Sequence, residues 1–336
     1  MKIAIHKCPG SFSDEWIDYC KENDIYYKTV NCIDSNIVEQ LADCDGLLWH
    51  WPHWDFKATL FARQLISSLE MMGKKVFPSS KTCWHYDDKI GQKYLFEGIG
   101  APLIPSYIFY EKNDAFEWIE RTTFPKVFKL RCGASSMNVK LVKNKREARL
   151  LNRKAFTKGF PIVDRLELLK DRLWHLRRDK NCNALIGLFK GFARLLVPTD
   201  LENIRGREKG YVYFQDFIEG LDGDYRVIVI GSKAFAMKRL VREGDFRASG
   251  SGVINESPEL INPELIKISF MISKKLGLQS AAFDLIIKDQ KIYLIEVSYA
   301  FMAKVLSGYW DENLQWIPEK TNLRKTIIQD FIQSLS

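Results

Sequence analysis

Two acidic residues stand within two apolar stretches near the C-terminal end of the sequence. Asp284 lies in the run Ala282–Ile287, and Glu296 lies in the run Ile292–Val297. The polar residues Lys288–Lys291 separate the two runs, so the pattern predicts a β-hairpin whose strands are covered on both faces. A carboxylate in such a strand is costly unless it is paired or bound to a metal. Two interpretations are therefore open, a salt bridge to a nearby Arg or Lys and a site for a hard cation such as Mg²⁺.

The register of this hairpin decides whether the two carboxylates share a face. Side chains alternate along a strand, so pairs whose residue numbers have an even sum place Asp284 and Glu296 on one face. A three-residue loop Lys288–Gln290 gives such pairs, whereas a two-residue turn does not. We therefore expect a three-residue loop or a bulge, with Ser298 on the face of Glu296. Two carboxylates and a hydroxyl are suitable oxygen ligands for Mg²⁺.

A second candidate site is a loop of small residues between two strands. The strand Phe124–Leu130 carries Lys129, and the following segment Arg131–Val139 contains Ser135 and Ser136. Exposed backbone N–H groups in such a loop can bind phosphate, and the strand lysine supplies a positive charge. No GxxxxGK[ST] motif occurs, so this is not a Walker loop. A hairpin loop without a ligand is the alternative interpretation.

The elements that would hold these residues begin with a parallel sheet. Residues 1–85 alternate between strand and helix, which predicts a Rossmann-like sheet with helices on both faces. Ligands bind beyond the carboxyl ends of such strands, where the sequence has Trp49–Trp54, with three Trp and two His. A metal site at His50 and His53, a platform for sugar rings or bases, and an interdomain seam are the three alternatives for this segment.

The later elements are helices and strands in alternating groups. We expect a helix from Trp84 that ends near Gly98–Gly100, basic helices at Leu166–Leu176 and Ala184–Leu196, strands at Tyr225–Ile230 and Ala234–Leu240, and a helix capped by Asn262 and closed by Gly277.

Composition places the chain among ordinary globular proteins with one strongly basic segment. The 336 residues suffice for two or three domains, and 46% of them are hydrophobic. The net charge is +8, and residues 151–210 contain fourteen Lys or Arg and seven Asp or Glu. An anionic glycan or an acidic lipid surface could bind there, or the segment is a solvated face. No nucleic-acid-binding motif accompanies it, so we expect no nucleic-acid partner.

The cysteines and the apolar runs indicate the compartment. The seven cysteines form no CxxC motif, which predicts free thiols in a reducing environment. No apolar run approaches the roughly 20 residues of a membrane span, and the N-terminus is predicted to be a strand and not a signal sequence. We therefore expect a cytoplasmic protein.

The order of these motifs resembles that of the ATP-grasp superfamily, the group of D-alanine–D-alanine ligase and the ribosomal-protein glutamate ligases. The resemblance covers residues 87–301. It begins at Asp88-Lys89, continues through the strand of Lys129, and includes Gln215–Ile218, which is similar to the hinge that contacts adenine. Asp224 resembles the acid that binds the ribose hydroxyls, with Asp222 as a competitor.

The resemblance implies a role for each candidate residue. The implied roles are phosphate contacts for Lys89, Lys129, Ser135 and Ser136, adenine contacts for Gln215, Asp216 and Ile218, a ribose contact for Asp224, contacts with the transferred phosphoryl group and the carboxylate for Arg239 and Arg247, and Mg²⁺ coordination for Asp284 and Glu296.

The chain departs from the family pattern at several points. Glu296-Val297-Ser298 stands where the family has Glu-x-Asn, and the proline that usually follows is absent. The basic insertion of residues 151–210 has no counterpart in the small ligases. The phrases Glu296–Phe301 and Gly308–Trp316 resemble those of uncharacterised ATP-grasp proteins from bacterial surface-polysaccharide loci.

The implied fold is α/β (α+β), an ATP-grasp fold with a Rossmann-like pre-ATP-grasp domain at residues 1–86. Residues 87–215 would form the central lobe, with a basic helical insertion at about residues 160–210, and residues 216–336 the C-terminal lobe with the metal site.

The implied function is that of an ADP-forming carboxylate–amine ligase that uses ATP and Mg²⁺ and passes through an acyl phosphate. Its substrates would be a small-molecule carboxylate and an amine, with a glycan-linked acid and a homodimer as open options. A kinase of the same fold and a non-catalytic nucleotide-binding protein are the alternatives.

Overall fold

The computed structural model describes residues 1–133, 138–179, 182–197, 200–241, 253–302 and 305–335. The chain divides into two compact units, one made of residues 1–103 and 220–336 and the other of residues 104–219. The structure is a mixed α+β fold, as the sequence predicts. The predicted domain boundaries after residues 86 and 215 stay predictions.

The first 103 residues, all of which are described, form a Rossmann-like sheet flanked by helices. The elements are β1 (Ile3–His6), α1 (Ser13–Glu22), β2 (Tyr27–Val30), α2 (Ile37–Gln40), β3 (Gly46–Leu48), α3 (Phe56–Met71), β4 (Lys75–Phe77), α4 (Ser80–Cys83) and α5 (Lys89–Gly98). The strand order is β2-β1-β3-β4, and every neighbouring pair is parallel. Parallel neighbours need crossover connections, which is why strands and helices alternate here. The predicted parallel sheet is confirmed.

The helix predicted from Trp84 begins later, at Lys89, and this start was predicted wrongly. Asp87 has a φ of 55°, a left-handed conformation that interrupts a right-handed helix. Asp88 then caps the new helix, because its carboxylate accepts a hydrogen bond of 2.9 Å from the backbone N–H of Gly91. The predicted end near Gly98 is confirmed.

The second unit is built on an antiparallel sheet. Its elements are β5 (Ser106–Phe109), α6 (Lys112–Arg121), β6 (Lys126–Lys129), β7 (Val139–Val142), α7 (Lys145–Ala155), β8 (Phe160–Pro161), α8 (Arg165–Asp179), α9 (Cys182–Leu196), α10 (Asp200–Arg205), β9 (Arg207–Glu208) and β10 (Val212–Asp216). The sheet order is β5-β10-β6-β7, and its core is shared with α6 and α7. The two predicted basic helices are confirmed as α8 and α9.

Residues 220–336 contribute a long antiparallel sheet to the first unit. The elements are β11 (Gly223–Ile230), β12 (Lys233–Leu240), β13 (Ile254–Asn255), a 3-10 helix (Pro258–Leu260), α11 (Pro263–Leu276), β14 (Ser280–Lys288), β15 (Lys291–Ser298), β16 (Val305–Leu306), β17 (Tyr309–Trp310), β18 (Trp316–Ile317), β19 (Thr321–Asn322) and α12 (Leu323–Leu335). The main sheet runs in the order β15-β14-β11-β12-β17-β18. The predicted caps of α11 are confirmed: the Asn262 side chain accepts from Glu264 N, and Gly277 has a φ of 65°.

Both faces of this sheet are covered over much of their area. Val227 and Phe283 point to one face and pack against α11. Ile228, Phe235 and Ala282, at alternate positions of the same strands, point to the other face and pack with Phe12 and α12. The second face therefore joins the two sequence segments of the first unit.

Candidate functional site

The hairpin of β14 and β15 has a tighter turn than the loop that the sequence predicts. Lys288 pairs with Lys291, so only Asp289 and Gln290 form the turn. Their φ values are 49° and 61°, as a type I′ turn requires, and this turn matches the twist of the flanking strands. The three-residue loop was therefore the wrong alternative of the two.

A bulge supplies the register that the loop does not. Asp284 pairs with Glu296, but Leu285 pairs with Leu294, so Ile295 is an extra residue in β15. The extra residue reverses the alternation of the strand beyond it. Asp284 and Glu296 consequently lie directly opposite each other on one face, as predicted.

Asp284 belongs to a network of alternating charges on this face. Arg226 Nε and Nη2 donate to Asp284 Oδ1 and Oδ2 at 2.8 and 2.9 Å. Arg239 Nη2 lies 2.8 Å from Asp284 Oδ2, and Arg239 also forms two hydrogen bonds of 2.6 Å with Asp224. Cross-strand pairing of Arg226 with Asp284 and of Asp224 with Arg239 produces this order of acid and base.

Burial and charge act in opposite directions on the two acids of this network. Asp284 is 3% exposed and Asp224 is 7% exposed. Burial alone would raise the pKa of Asp284, but Arg226 and Arg239 outweigh it and lower that pKa to about 2. Burial, with the nearby Asp284 charge, raises the pKa of Asp224 to about 6. Asp284 is therefore the more firmly ionised of the two acids.

The salt-bridge interpretation of Asp284 is thus the arrangement present in the structure. A carboxylate offers about four lone-pair sites, and Arg226 and Arg239 use three of those of Asp284. Among the residues that the structure describes, no group of three His, Cys, Asp or Glu is arranged around a common point for a metal ion. Metal binding by Asp284 stays a prediction.

Glu296 is the more accessible carboxylate of the pair. Its side chain is 34% exposed, and Lys89 Nζ lies 3.8 Å from Glu296 Oε2. Ser298, two residues further along β15 on the same face, donates its hydroxyl to the Ala300 carbonyl oxygen at 3.0 Å. The hydroxyl oxygen of Ser298 keeps acceptor capacity in this position.

Gln92 fixes the helix of Lys89 to the strand of Glu296. Its side chain is buried, donates to the Val297 carbonyl oxygen at 2.6 Å and accepts from the Val297 N–H at 3.1 Å. These two bonds hold α5 in register beside β15. Gln92 was missed in the sequence, although a glutamine three residues after Lys89 and four before Phe96, on the buried side of α5, was a usable signal.

The second unit holds the predicted phosphate lysine and the predicted adenine hinge. Lys129 Nζ donates to Gln215 Oε1 at 2.7 Å, and Gln215 Nε2 donates to Ser106 Oγ at 3.0 Å. Tyr213 donates to the same Ser106 oxygen at 3.0 Å. All of these side chains lie on neighbouring strands of one sheet, so the structure brings Lys129 and Gln215 together.

Asp216 and Ile218 lie at the end of this strand. Lys126 Nζ donates to Asp216 Oδ1 at 2.6 Å, and burial together with the Asp216 charge raises the pKa of Tyr107. Ile218 follows β10 and is half-buried. Their contacts with adenine stay predictions. Arg247, Ser135 and Ser136 lie outside the described residues.

The Trp49–Trp54 segment packs mainly inward. Trp51 is buried, its N–H donates to the Tyr299 hydroxyl at 3.2 Å, and that hydroxyl donates back to the Trp51 carbonyl oxygen at 3.1 Å. His50 stacks on Phe12 with 3.6 Å between ring centroids. The segment therefore connects the N-terminal sheet with the end of β15 within one compact unit, and its role as an interdomain seam stays a prediction.

Arg226 was placed on a strand by the sequence but given no role. Its partner is 58 residues away, and only the pairing of β11 with β14 brings the two together.

No helix among the described residues has the length and apolar character to cross a bilayer.

Comparisons with known proteins identify a family model for part of the chain. Residues 198–316 match the RimK-like ATP-grasp domain. No curated protein matches the chain.

Solved structures resemble the whole chain. D-alanine–D-alanine ligase from Bacillus anthracis has a TM-score of 0.56 at 14% identity, covering 100% of this chain and 98% of that one. D-cycloserine synthetase has a TM-score of 0.58 at 13% identity, with both chains fully covered. A RimK domain ATP-grasp protein from Sphaerobacter thermophilus has a TM-score of 0.54 at 13% identity, covering 90% and 92%. At these identities the likeness establishes the fold.

Proposed function

We propose that this chain, which has the ATP-grasp fold, is an ADP-forming ligase that joins a carboxylic acid to an amine with ATP and Mg²⁺. The observation that carries the proposal is the placement of Asp284 opposite Glu296 on a sheet face that also holds Arg226 and Arg239. The similarity in fold to D-alanine–D-alanine ligase and D-cycloserine synthetase supports the reaction class.

The donor types on this face fit Mg²⁺. Glu296 and Ser298 present a carboxylate and a hydroxyl on one side of β15, and Asp284 presents a second carboxylate beside them. Arg226 currently holds both Asp284 oxygens, so coordination by Asp284 requires Arg226 to release at least one bond. Bound there, Mg²⁺ would withdraw charge from the phosphates of ATP.

Arg226 released from Asp284 would be a guanidinium beside the reacting phosphates. A planar guanidinium forms paired hydrogen bonds with phosphate as it does with carboxylate. The proposal therefore treats the Arg226–Asp284 pair as the state of the site before ATP and Mg²⁺ bind. On binding, Asp284 would exchange the Arg226 guanidinium for Mg²⁺, and Arg226 would exchange the Asp284 carboxylate for a phosphate group.

The reaction forms and breaks two bonds in turn. A substrate carboxylate oxygen attacks the γ-phosphorus, the bond from that phosphorus to the β-γ bridging oxygen breaks, and ADP leaves. The amine then attacks the acyl carbon, the carbon–oxygen bond to phosphate breaks, and the amine loses a proton. Lys89 and Lys129 bind phosphate oxygens in this proposal, and Arg239 and Arg247 stabilise the charge that develops on the transferred group.

The finer proposals concern the substrate and the compartment. On the resemblance to proteins of surface-polysaccharide loci alone, we assign the acid to the amino acids or sugar acids. Free thiols at all seven cysteines support a reducing compartment, the cytoplasm.

An ADP-release assay with ATP, Mg²⁺ and a panel of amino acids and sugar acids tests the proposal. With a carboxylate labelled with ¹⁸O, one labelled oxygen should appear in the released phosphate. Glu296→Gln should lower turnover by at least about 10²-fold, because it removes an electrostatic partner of the transition state. Glu312→Gln, an exposed glutamate of the same unit, is the matched control and should leave turnover unchanged.

Two outcomes would contradict the ligase. ADP release with no dependence on a carboxylate would remove the acyl phosphate from the reaction. A phosphorylated product that survives hydroxylamine would identify a kinase, because an acyl phosphate reacts with hydroxylamine whereas a phosphate ester does not.

A non-catalytic nucleotide-binding protein is the second candidate. It is favoured by the bonds of Asp284 to two arginines and by the serine at the position of the usual Asn. ATP binding measured by calorimetry, together with no ADP release across the panel, would establish this candidate in place of the ligase.

A further inference from the structure

Two glycines of α9, Gly187 and Gly191, lie on the side of the helix that packs against α8. Arg172 on α8 donates from Nη1 to the Gly187 carbonyl oxygen. A Cβ atom placed on Gly191 would lie 2.9 Å from Arg172 Cδ and 3.1 Å from Leu169 Cδ1, so α8 approaches the bare backbone of α9 at this point. The glycines at i and i+4 therefore direct one side of α9 toward α8.

The opposite side of α9 is apolar and exposed. Its large side chains recur at the spacing of one helix face, and each leaves about half of its surface in solvent. They are Leu185 (43% exposed), Ile186 (51%), Phe189 (66%), Phe192 (52%) and Val197 (59%), the last of which directly follows the helix. A surface helix of a globular protein places such residues toward the core. Here the apolar stripe points away from the helix that α9 packs on.

Exposed positive charges lie on the same pair of helices as this stripe. Lys190 on α9 and Lys170 and Arg177 on α8 are exposed. The segment of residues 151–210 has twice as many Lys and Arg as Asp and Glu and holds most of the net charge of the chain. A helical hairpin that combines an exposed apolar stripe with exposed basic residues is complementary to an anionic lipid headgroup layer over acyl chains.

We propose that the α8–α9 hairpin docks on an anionic lipid bilayer, with the apolar side of α9 at the boundary between headgroups and acyl chains. At about 1.5 Å per residue, the fifteen residues of α9 extend about 22 Å, less than the roughly 30 Å of the hydrocarbon layer. The helix therefore lies in the plane of the surface. This inference is independent of the proposed function, because none of these residues belongs to the candidate site.

Flotation of the full chain with vesicles tests the docking. The parent protein should float with vesicles of phosphatidylcholine and phosphatidylglycerol, and less with phosphatidylcholine alone or at high salt. The double variant Phe189→Ser/Phe192→Ser should lower the partition coefficient at least about tenfold, since two exposed rings no longer enter the acyl layer. Because both rings are more than half exposed, the urea unfolding midpoint should not change.

A matched variant controls for the loss of exposed apolar surface as such. Phe61 and Met71 on α3 are 63% and 90% exposed, and Phe61→Ser/Met71→Ser should float as the parent does. The proposal is overturned if the Phe189/Phe192 variant floats like the parent, or if the parent floats equally with vesicles of both compositions. It is also overturned if the parent does not float with either kind of vesicle. If the variant then has a lower molar mass than the parent in vesicle-free solution, a second copy of the chain covers this face.

Discussion

One face of the C-terminal sheet has two halves of opposite chemistry. Ile228 and Phe235 occupy the half that packs against the N-terminal sheet and α12, and they are completely buried. Arg226, two residues before Ile228 on β11, and Asp284 on the neighbouring β14 occupy the half where four charges form one network. The pairing of β11 with β12 and β14 is continuous across the boundary, and Asp284 is buried like the apolar side chains, so the main difference lies in the chemistry of the side chains.

The two halves are stabilised in different ways. Burial of apolar area contributes about 25 cal/mol per Å² to the apolar half. Removing charges from water costs several kcal/mol per ion in the charged half, and the ion pairs recover little beyond that cost. Stability therefore explains the apolar half but not the charged half. The proposed ligands, each of which takes the place of one partner in a pair, would explain it.

Asp284→Asn should give the largest loss of stability, because it leaves Arg226 and Arg239 without the charge that neutralises them. We expect the free energy of unfolding to fall by about 3–5 kcal/mol, as measured by urea denaturation. Asp289→Asn, the same change at an exposed turn residue with φ 49°, should be nearly neutral since Asn tolerates this conformation. Equal effects of the two variants would mean that the network does not hold its charges in the way described.

Acidification should act through two buried histidines, of which His50 packs on Phe12 beside the apolar half. Burial lowers the pKa of His50 to about 3 and that of His85 to about 4, and neither His50 ring nitrogen has a hydrogen-bond partner among the described residues. An unfolded histidine titrates near 6.5. Stability is thus fully present above pH 6.5 and is lost as the pH falls toward these values. Each histidine should cost about 2 kcal/mol between pH 7 and pH 5.

Urea midpoints at pH 7 and pH 5 measure this loss. The substitution His50→Phe keeps a ring on Phe12 and should remove about half of the histidine contribution. Asp284, with its pKa of about 2, contributes no change in this window, whereas Asp224, with its pKa raised to about 6, binds a proton more readily in the folded state and offsets part of the loss. The test is therefore the difference between parent and variant, and an identical pH dependence of the two would contradict it.

The sequence was sufficient to predict the strands of the hairpin and the common face of Asp284 and Glu296. Alternation of apolar residues predicted the hairpin, and the parity of pairing predicted a loop or a bulge. It could not choose between them, because Ile295 is apolar like the other strand residues Leu294 and Val297 and nothing local marks it as the extra residue. The helix beginning at Lys89 was misplaced for a related reason, since Trp84 and Asp88 are both acceptable starts until the backbone of Asp87 is known.

The sequence could not predict which residues pair across neighbouring strands of the sheet. Whether Asp284 binds a metal or an arginine depends on which strand lies beside β14, and β11 lies far from it along the chain. The direction of the apolar stripe of α9 was equally hidden. Periodicity predicted a helix there. That its glycines pack against α8, and so leave the apolar side exposed, is known only from the position of α8.

A small steric change in the apolar half should cost less than the loss of one charge. Ile228→Val removes one methylene group from a fully buried site, and we expect a loss of about 0.5–1.5 kcal/mol in the free energy of unfolding. Ile254→Val, at a site that is 41% exposed, should change it by less than about 0.5 kcal/mol. A larger effect of Ile228→Val than of Asp284→Asn would reverse the comparison between the two halves.

The smallest effect on stability should come from removing both members of one pair. The double variant Arg226→Met/Asp284→Leu replaces two opposite charges by apolar side chains of similar size and leaves Arg239 with Asp224. Replacing a buried ion pair in this way is often neutral, so we expect unfolding within about 1 kcal/mol of the parent. ADP release should nevertheless be lost. If the double variant is instead as unstable as Asp284→Asn, the pair is needed for folding, and its presence no longer argues for a ligand.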